Sequence, residues 1–460
     1  MLKRNILKVG LIGILALSLL VLPLAGACRA PEAPPEVPEV PEVPEVVKPE
    51  SVKLGYLADL TGPYAAAGEP LVKSFKDYFE MINANGGIDG VPVEVLVWDT
   101  QAKADLSVTG YKKLKDDGVL ALSCMVTPVA LAVQTLLNED KIPGINQSAT
   151  LSLYVPPTDY MWCHGGVATD YDLAALYWFD TELWDHEAWG DWTLGILAHD
   201  NPFALGGTPA MYKYADLYGV TLVQPEVVAL GTLDFSTNIQ RLVDAGADVI
   251  FVETLGAASG TLLKQMGELG VLGTIEEAAT QEGKIVPFLG MTSYLPAQLL
   301  SAYDECAYTY GALPLATPYE WDAPAVKAAN DFMIAKYGHV LTPQEGGTAY
   351  QDGWNNGLMM HKAIERALEV VGWENLNGET LMENGLKGLR FDPQGFGCER
   401  SYADYEGDRI AIQNYRVAKW DMDLWDRVPI SPCLNIPELL PECEVTDYMT
   451  TQGGPGWYTP

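Results

Sequence analysis

From residue 51 the chain alternates short β-branched apolar runs with amphipathic stretches of ten to fifteen residues. This is the rhythm of βαβ units: a strand buried on both faces reads as an unbroken apolar run, and its crossover helix shows one apolar stripe. Runs 52–57, 93–98 and 119–124 and a short one at Ile145 predict strands. Stretches 71–85, 103–117 and 127–140 predict the helices between them, with Gly86-Gly87 closing the first as a left-handed stop. A second series begins near Asp170: helix 170–184, strand 194–199, helix 205–218, strand 222–229, helix 236–245, strand 249–254, helix 257–269 and strand 285–290. Two such series predict an α/β protein of two lobes, each a doubly wound parallel sheet with its own core, and a cleft between them. Open parallel sheets take ligands beyond the carboxyl ends of their strands. Loops 59–68, 123–127, 147–151, 199–205, 253–257 and 291–295 are therefore the candidate lining.

Ahead of this body, Lys3, Arg4 and Lys8 precede an apolar run over 9–22 and then small residues up to Cys28. That is the layout of a signal peptide, residues 1–27, whose apolar stretch is shorter than the ~20 residues a membrane-spanning helix needs. Cys28 after small residues resembles a bacterial lipobox, although Ala25 holds the place where a leucine usually stands. The resemblance implies that Cys28 is lipidated and anchors the chain to the membrane. Residues 28–50 form a spacer containing four successive Pro-Glu-Val units from Pro35 to Val46. Proline at every third residue favours polyproline II at ~3.1 Å per residue, a reach on the order of 70 Å.

Sixty-one acidic residues against 28 basic ones give a formal charge of −33, which becomes −36 when the leader removes three cations and no acid. Such a balance argues against nucleic acid as a partner, since phosphate binding needs lysine and arginine. It also gives no long-range help to a diffusing anion, so a carboxylate would have to be recognised locally. Five histidines and seven cysteines show no metal-ligand spacing, and no metal or cofactor is expected. Six cysteines besides Cys28 allow fifteen pairings. Cys433 and Cys443, close together in a proline-rich terminal segment, are the first pair expected to bridge.

Several motifs then occur in a telling order: Leu60-Thr61-Gly62-Pro63-Tyr64 with Gly68, the run 82–90, and Trp98-Asp99-Thr100 after the second strand. Ile142-Pro143 leads to Ser148-Ala149-Thr150, followed by His199-Asp200, Asp234-Phe235-Ser236 and the run 388–392. Over about residues 52–420 this set resembles the branched-chain amino acid type of ABC-transporter substrate-binding proteins. The resemblance implies a type I periplasmic-binding fold with a three-crossover hinge, no catalysis, an ABC permease as partner and an extracytoplasmic, lipid-anchored location. It divides the body into lobe 1 over 51–168 and 313–390 and lobe 2 over 169–312 and 391–425, with 426–460 as a C-terminal extension.

A ligand of that family is a free amino acid, and matching motifs places its carboxylate against Thr127, Ser148, Ala149 and Thr150. Independently of the family, Thr127 opens a helix, where unpaired backbone N–H groups and the positive dipole end favour an anion. Its alternative role is a plain N-cap. On the ammonium side the family's acid is replaced by Thr292, and a hydroxyl cannot neutralise an ammonium in a dry cleft. Either Glu253 or Asp200 stands in, or the ligand, still a small carboxylate, lacks an amine. Tyr64, Phe203 and Tyr319 fall where the family carries rings against the ligand. No G-x-S-x-G, Walker or G-x-G-x-x-G motif occurs, and His199-Asp200 has no nucleophile beside it. A ligand-sensing receptor of the same fold and an extracellular hydrolase are the rival readings.

Overall fold

Parallel pairing on both edges buries β1 (Val52–Ala58) almost end to end, with β2 (Val93–Asp99) on one side and β3 (Ala121–Cys124) on the other. The structure is a computed structural model describing residues 47–154, 160–290, 294–313, 315–391, 393–395, 397–398, 400–401 and 414–443. The expected signal peptide, the Cys28 anchor and Thr292 lie outside the described residues. β4 (Gly144–Asn146) and β5 (Met161–Cys163) complete a parallel sheet in the order β2-β1-β3-β4-β5. Its crossovers are α1 (Ala65–Ala84), α2 (Ala104–Asp116) and α3 (Thr127–Asp140). Gly86 and Gly87 reverse the chain after α1 at φ +104° and +78°, and the Gly87 N–H bonds Ile82 O at 2.9 Å.

The second series behaves alike. α4 (Ala168–Trp178) leads to β6 (Thr193–His199), α5 (Thr208–Tyr218), β7 (Thr221–Leu222), β8 (Glu226–Val228), α6 (Ser236–Asp244), β9 (Val249–Glu253), α7 (Ala258–Glu268) and β10 (Val286–Leu289). Side chains alternate between two cores: Val249 and Phe251 face one, Ile250 and Val252 the other. A strand covered on both faces must be apolar throughout, which is why its signal in the sequence is a run and not an alternation. The strand expected over 222–229 is split, because Pro225 has no N–H for the ladder; β7 and β8 pair separately with the two ends of β6.

β11 (Tyr310–Leu313) extends this sheet beside β10. The chain then runs through α8 (Pro324–Tyr337) and α9 (Gly347–Asn375), and α9 packs along α1. Tyr350 Oη donates to Asp77 Oδ2 at 2.8 Å, Tyr78 Oη meets His361 Nδ1 at 2.8 Å, and the Tyr78 and Trp354 rings are 5.3 Å apart. Afterwards β12 (Asn414–Asp421) adds antiparallel to β11, and β13 (Asp426–Pro429) to β12. The boundary expected at 425/426 therefore falls inside one hairpin, and the segment read as an extension begins as an edge strand. β5 and β11 were not predicted; at three and four residues they are too short to declare a period.

The expected Cys433–Cys443 bridge is not formed. Cys433 pairs with Cys398, 35 positions earlier in the sequence and with Cα atoms 5.8 Å apart, while Cys443 is a buried thiol. In the chain-entropy picture, closing a loop of that length stabilises by up to ~4 kcal/mol. The double variant Cys398→Ser/Cys433→Ser is expected to unfold several degrees earlier than the parent in oxidising buffer, and to match it once the parent is reduced. Equal melting temperatures in oxidising buffer would refute the staple.

Candidate functional site

Both sheets have the doubly wound order with its switch beside the first strand, and the loops leaving their carboxyl ends converge on one cavity of about 380 Å³. Tyr64 follows β1; Met125, Val126, Thr127 and Pro128 follow β3; Gln147 and Ser148 follow β4. Facing them are Asn201, Pro202 and Phe203 after β6, Leu230 after β8, Leu255 after β9, and Leu295 and Gln298 after β10. Asp352 of α9 closes the wall. Most of the surface is apolar, and Leu131 and Leu230 stand on it while remaining 42% and 55% exposed, which marks the mouth.

Local structure explains how these side chains are held. Asp59 Oδ2 accepts the Tyr64 N–H at 2.9 Å, and Asp99 Oδ1 accepts the N–H groups of Leu60 and Gln101 at 3.0 and 3.1 Å. Asp59 and Asp99 thus shape the loop that carries Tyr64 to the cavity. Burial, then the nearby Asp59, pushes the Tyr64 phenol up, so it keeps its proton and can donate. On the far side Asn201 Oδ1 accepts from Phe203 N and Ala204 N, both at 3.1 Å, fixing the turn that presents Phe203.

Thr127 is not an N-cap. The cap position is Val126, and Thr127 Oγ1 lies 2.7 Å from both Ser148 Oγ and Thr150 Oγ1. All three hydroxyls are buried. Two bonds among three hydroxyls use two protons, which leaves one proton to donate to a guest oxygen. The expected row of free helix amides is reduced: Pro128 has no N–H, and Val129 and Ala130 both turn back to Val126 O, at 3.1 and 3.0 Å. Ala149 is buried behind the cluster, its carbonyl accepting the Ala168 N–H at 2.8 Å.

A polar chain that the sequence reading missed lies beside these hydroxyls. Tyr56 Oη donates to Gln147 Oε1, Gln147 Nε2 to Asp352 Oδ2 at 2.9 Å, and His164 Nε2 stands 2.9 Å from Asp352 Oδ1. His164 Nδ1 is 3.0 Å from the Asn146 carbonyl, which only accepts, so Nδ1 is the nitrogen that donates there. The Asp352 side chain is 23% exposed and meets the cavity. Around it on the helix Tyr350, Gln351, Gly353 and Trp354 are all buried. His164 follows the three-residue β5, which had not been predicted.

Of the other expected residues, Asp200 is exposed and off the cavity wall, and Tyr319 is 38% exposed on the segment after β11, also off it. His199 is buried, with Nδ1 accepting the Leu255 N–H at 3.0 Å; it positions the wall and does not pair with Asp200. The structure thus brings Thr127, Ser148, Thr150, Tyr64 and Phe203 together and leaves Asp200, Tyr319 and Glu253 apart from them. Among the described residues no cluster of three metal-ligating side chains occurs, and no helix is long and apolar enough to cross a membrane.

The family described as periplasmic binding protein matches residues 51–424. A Leu/Ile/Val-binding protein homologue of Brucella melitensis is 25% identical over 229 residues, 48% of this chain and 59% of the relative, so the chain spans little over half of that relative's length. A branched-chain amino acid ABC transporter protein of Thermus thermophilus, solved with bound valine, superposes with a TM-score of 0.73 at 20% identity, covering 86% of this chain and all of the other. A fatty acid ABC transporter substrate-binding protein of Thermomonospora curvata gives 0.71 at 20% identity, covering 85% of this chain and 93% of the other.

Glu253 ends β9 behind the wall, fully buried and packed on Gly290, where an added Cβ would sit 1.6 Å from Oε1. It is hydrogen-bonded to Asp172, equally buried, and beyond this carboxyl pair neither side chain finds a hydrogen-bond partner among the described residues. Burial pushes Glu253 up to about 8 and Asp172 well above the carboxylate range. Neither is a free anion for a guest ammonium. Between the ordinary carboxylate range and about 8 the folded chain holds more protons than the unfolded one, so stability falls as pH rises across that window. Glu253→Gln is expected to raise the melting temperature at pH 8 by on the order of 2–4 °C or more, with the gain shrinking towards pH 5. Calorimetric scans at the two pH values test this; a gain that does not depend on pH would refute it.

Proposed function

Since the chain belongs to the periplasmic binding protein family, we propose that it is the extracytoplasmic solute-binding component of an ABC importer and captures a small carboxylate, such as an amino acid, in the cavity between its lobes. The observation that carries the reading is the buried triad of Thr127, Ser148 and Thr150 with one proton to spare, set in an otherwise apolar wall. The hydroxyl cluster holds an oxyanion without a cation, and the apolar wall takes the rest of the molecule. Thr127 and Ser148 touch the carboxylate, with Ala149 and Thr150 behind them; Tyr64 and Phe203 cover the apolar part.

The lobes close over the ligand by a hinge motion, because residues from both sheets line the cavity and binding to both favours the closed population. The closed form docks on the permease. Cys28 carries the lipid, and the Pro/Glu-rich spacer lets the body reach away from the membrane. Binding is the whole activity, with no bond made or broken.

Thr127→Ala is expected to weaken binding of the cognate acid tenfold or more, since a hydrogen bond to a charged group contributes ~1.5–3 kcal/mol. A thermal-shift panel of amino acids, aliphatic acids and aromatic acids identifies the ligand, and titration calorimetry on parent and variant measures the loss. Equal affinities would remove Thr127 from the site, and turnover of the bound acid would end the binding reading.

A further inference from the structure

Outside the cavity the two lobes touch directly, and a charged side chain, Arg427, reaches across the seam. Its mount is firm. In the turn of the β12–β13 hairpin Asp421 Oδ1 accepts the N–H groups of Asp423 and Leu424, both at 2.9 Å, and the Trp425 ring stands edge-on to Trp420 at 5.2 Å. Two residues on, Arg427 is buried although β13 is the edge strand of the second sheet. Its own lobe neutralises it: Nε lies 3.3 Å from Asp426 Oδ1, and the guanidinium is 5.7 Å from the centre of the Tyr294 ring. Nη2 then donates at 3.0 Å to the hydroxyl of Thr348, also buried, in the first turn of α9, the helix that packs along α1 of the first lobe. Beside this bond the turn 296–298 packs on the turn 343–345. Ala66, Ala67, Gly346 and Ala349 leave only about 20 Å³ in that seam, room for about one water. Tyr294 immediately precedes Leu295, which lines both the seam and the cavity.

Resting on the reading that the lobes shut over a ligand, we propose that Arg427 and Thr348 form a latch, a pair of positioning residues that set how much of the protein is shut and how slowly it releases what it holds. Neither lines the cavity, so the latch acts without touching the ligand. Its chemistry suits a reversible catch. Arg427 keeps Asp426 whether the lobes are together or apart, so parting them breaks one charge-assisted hydrogen bond and strands no unpaired charge. Opening hands the freed N–H to water, whereas closing on a group that cannot accept would leave it buried and unmet. Because the bond forms only across the shut seam, its free energy goes to the closed population whatever occupies the cavity. The hairpin that begins the C-terminal segment thereby controls retention from outside the cavity.

Thr348→Val keeps the shape of the side chain and removes the acceptor, while Thr348→Ser keeps the acceptor. Small-angle scattering of the full, ligand-free protein reads the spread of the lobes, and stopped-flow kinetics read the release of three probes: leucine, 4-hydroxybenzoate and hexadecanoate. In Thr348→Val the radius of gyration is expected to rise, or every probe that binds is expected to leave about tenfold faster by a common factor. Association rates are expected to stay within about twofold, since the ligand enters the open form. Thr348→Ser is expected to match the parent throughout, and Thr348→Ala serves where the valine variant does not fold. An unchanged radius with no faster release of any probe overturns the latch. So does a change that Thr348→Ser shares, or faster release confined to one of several bound probes, which would mark a contact with that ligand. Thr127-dependent binding with neither change leaves the capture of a carboxylate standing without the latch. A wider radius with no acid bound leaves the latch standing without that capture.

Discussion

Parallel pairing is the constraint on which the rest depends. Strands that run the same way cannot be joined by a tight turn, so each connection must cross a face of the sheet, usually as a helix, and every helix-bound loop leaves from the same edge. In this chain the rule applies twice, and both edges contribute to one cavity. The burial of β1, β6 and β9, the alternation of Phe251 and Ile250 between two cores and the convergence of Thr127, Ser148, Phe203 and Leu255 all follow from that choice. The returning segment completes it: α9 lies along α1 and so brings Asp352 to a wall otherwise built from strand-end loops.

Polar groups in the cavity wall are organised by what they can still donate or accept after internal bonding. Asp59 and Asp99 are consumed by loop amides and act as scaffold. The hydroxyl triad is satisfied but for one proton, and Asp352 is gripped from behind with acceptor capacity to spare. Asp172 and Glu253 are the opposite case, packed against glycines and kept from ionising by burial. Two kinds of carboxyl thus lie in one body, one half-buried and held as an acceptor, the other buried and held neutral.

How far the sequence could be read depended on the length and locality of each signal. Strands β1 and β2 and the start of α3 were legible because apolar runs and a Thr-Pro opening are local features. β5 is three residues long, too short for any period, and with it went His164. Glu253 at a strand end looked like a cleft acid, yet side-chain direction along a strand alternates, and this one points at Gly290. Asp352 could not be placed, because nothing in its neighbourhood says that a helix some two hundred residues after Gln147 returns beside it. Thr127 opens α3 as expected, but its bonds to Ser148 and Thr150 were not foreseen, since those partners are distant in sequence. The bridge fell to Cys398 because proximity along the chain is a weak guide once strands pair.

The four thiols at Cys124, Cys163, Cys306 and Cys443 are buried, and burial pushes each of them up. Thiolate is the species that attacks a disulfide, so in the folded body these sulfurs are both hidden and unreactive. The correct cross-link is then a product of conformation and needs no editing: if collapse precedes oxidation, Cys398 and Cys433 are the two sulfurs that the fold has set within bonding distance. An oxidant that arrives before collapse also meets the thiols of Cys124, Cys163, Cys306 and Cys443, so for this molecule the order of events decides whether it matures or scrambles.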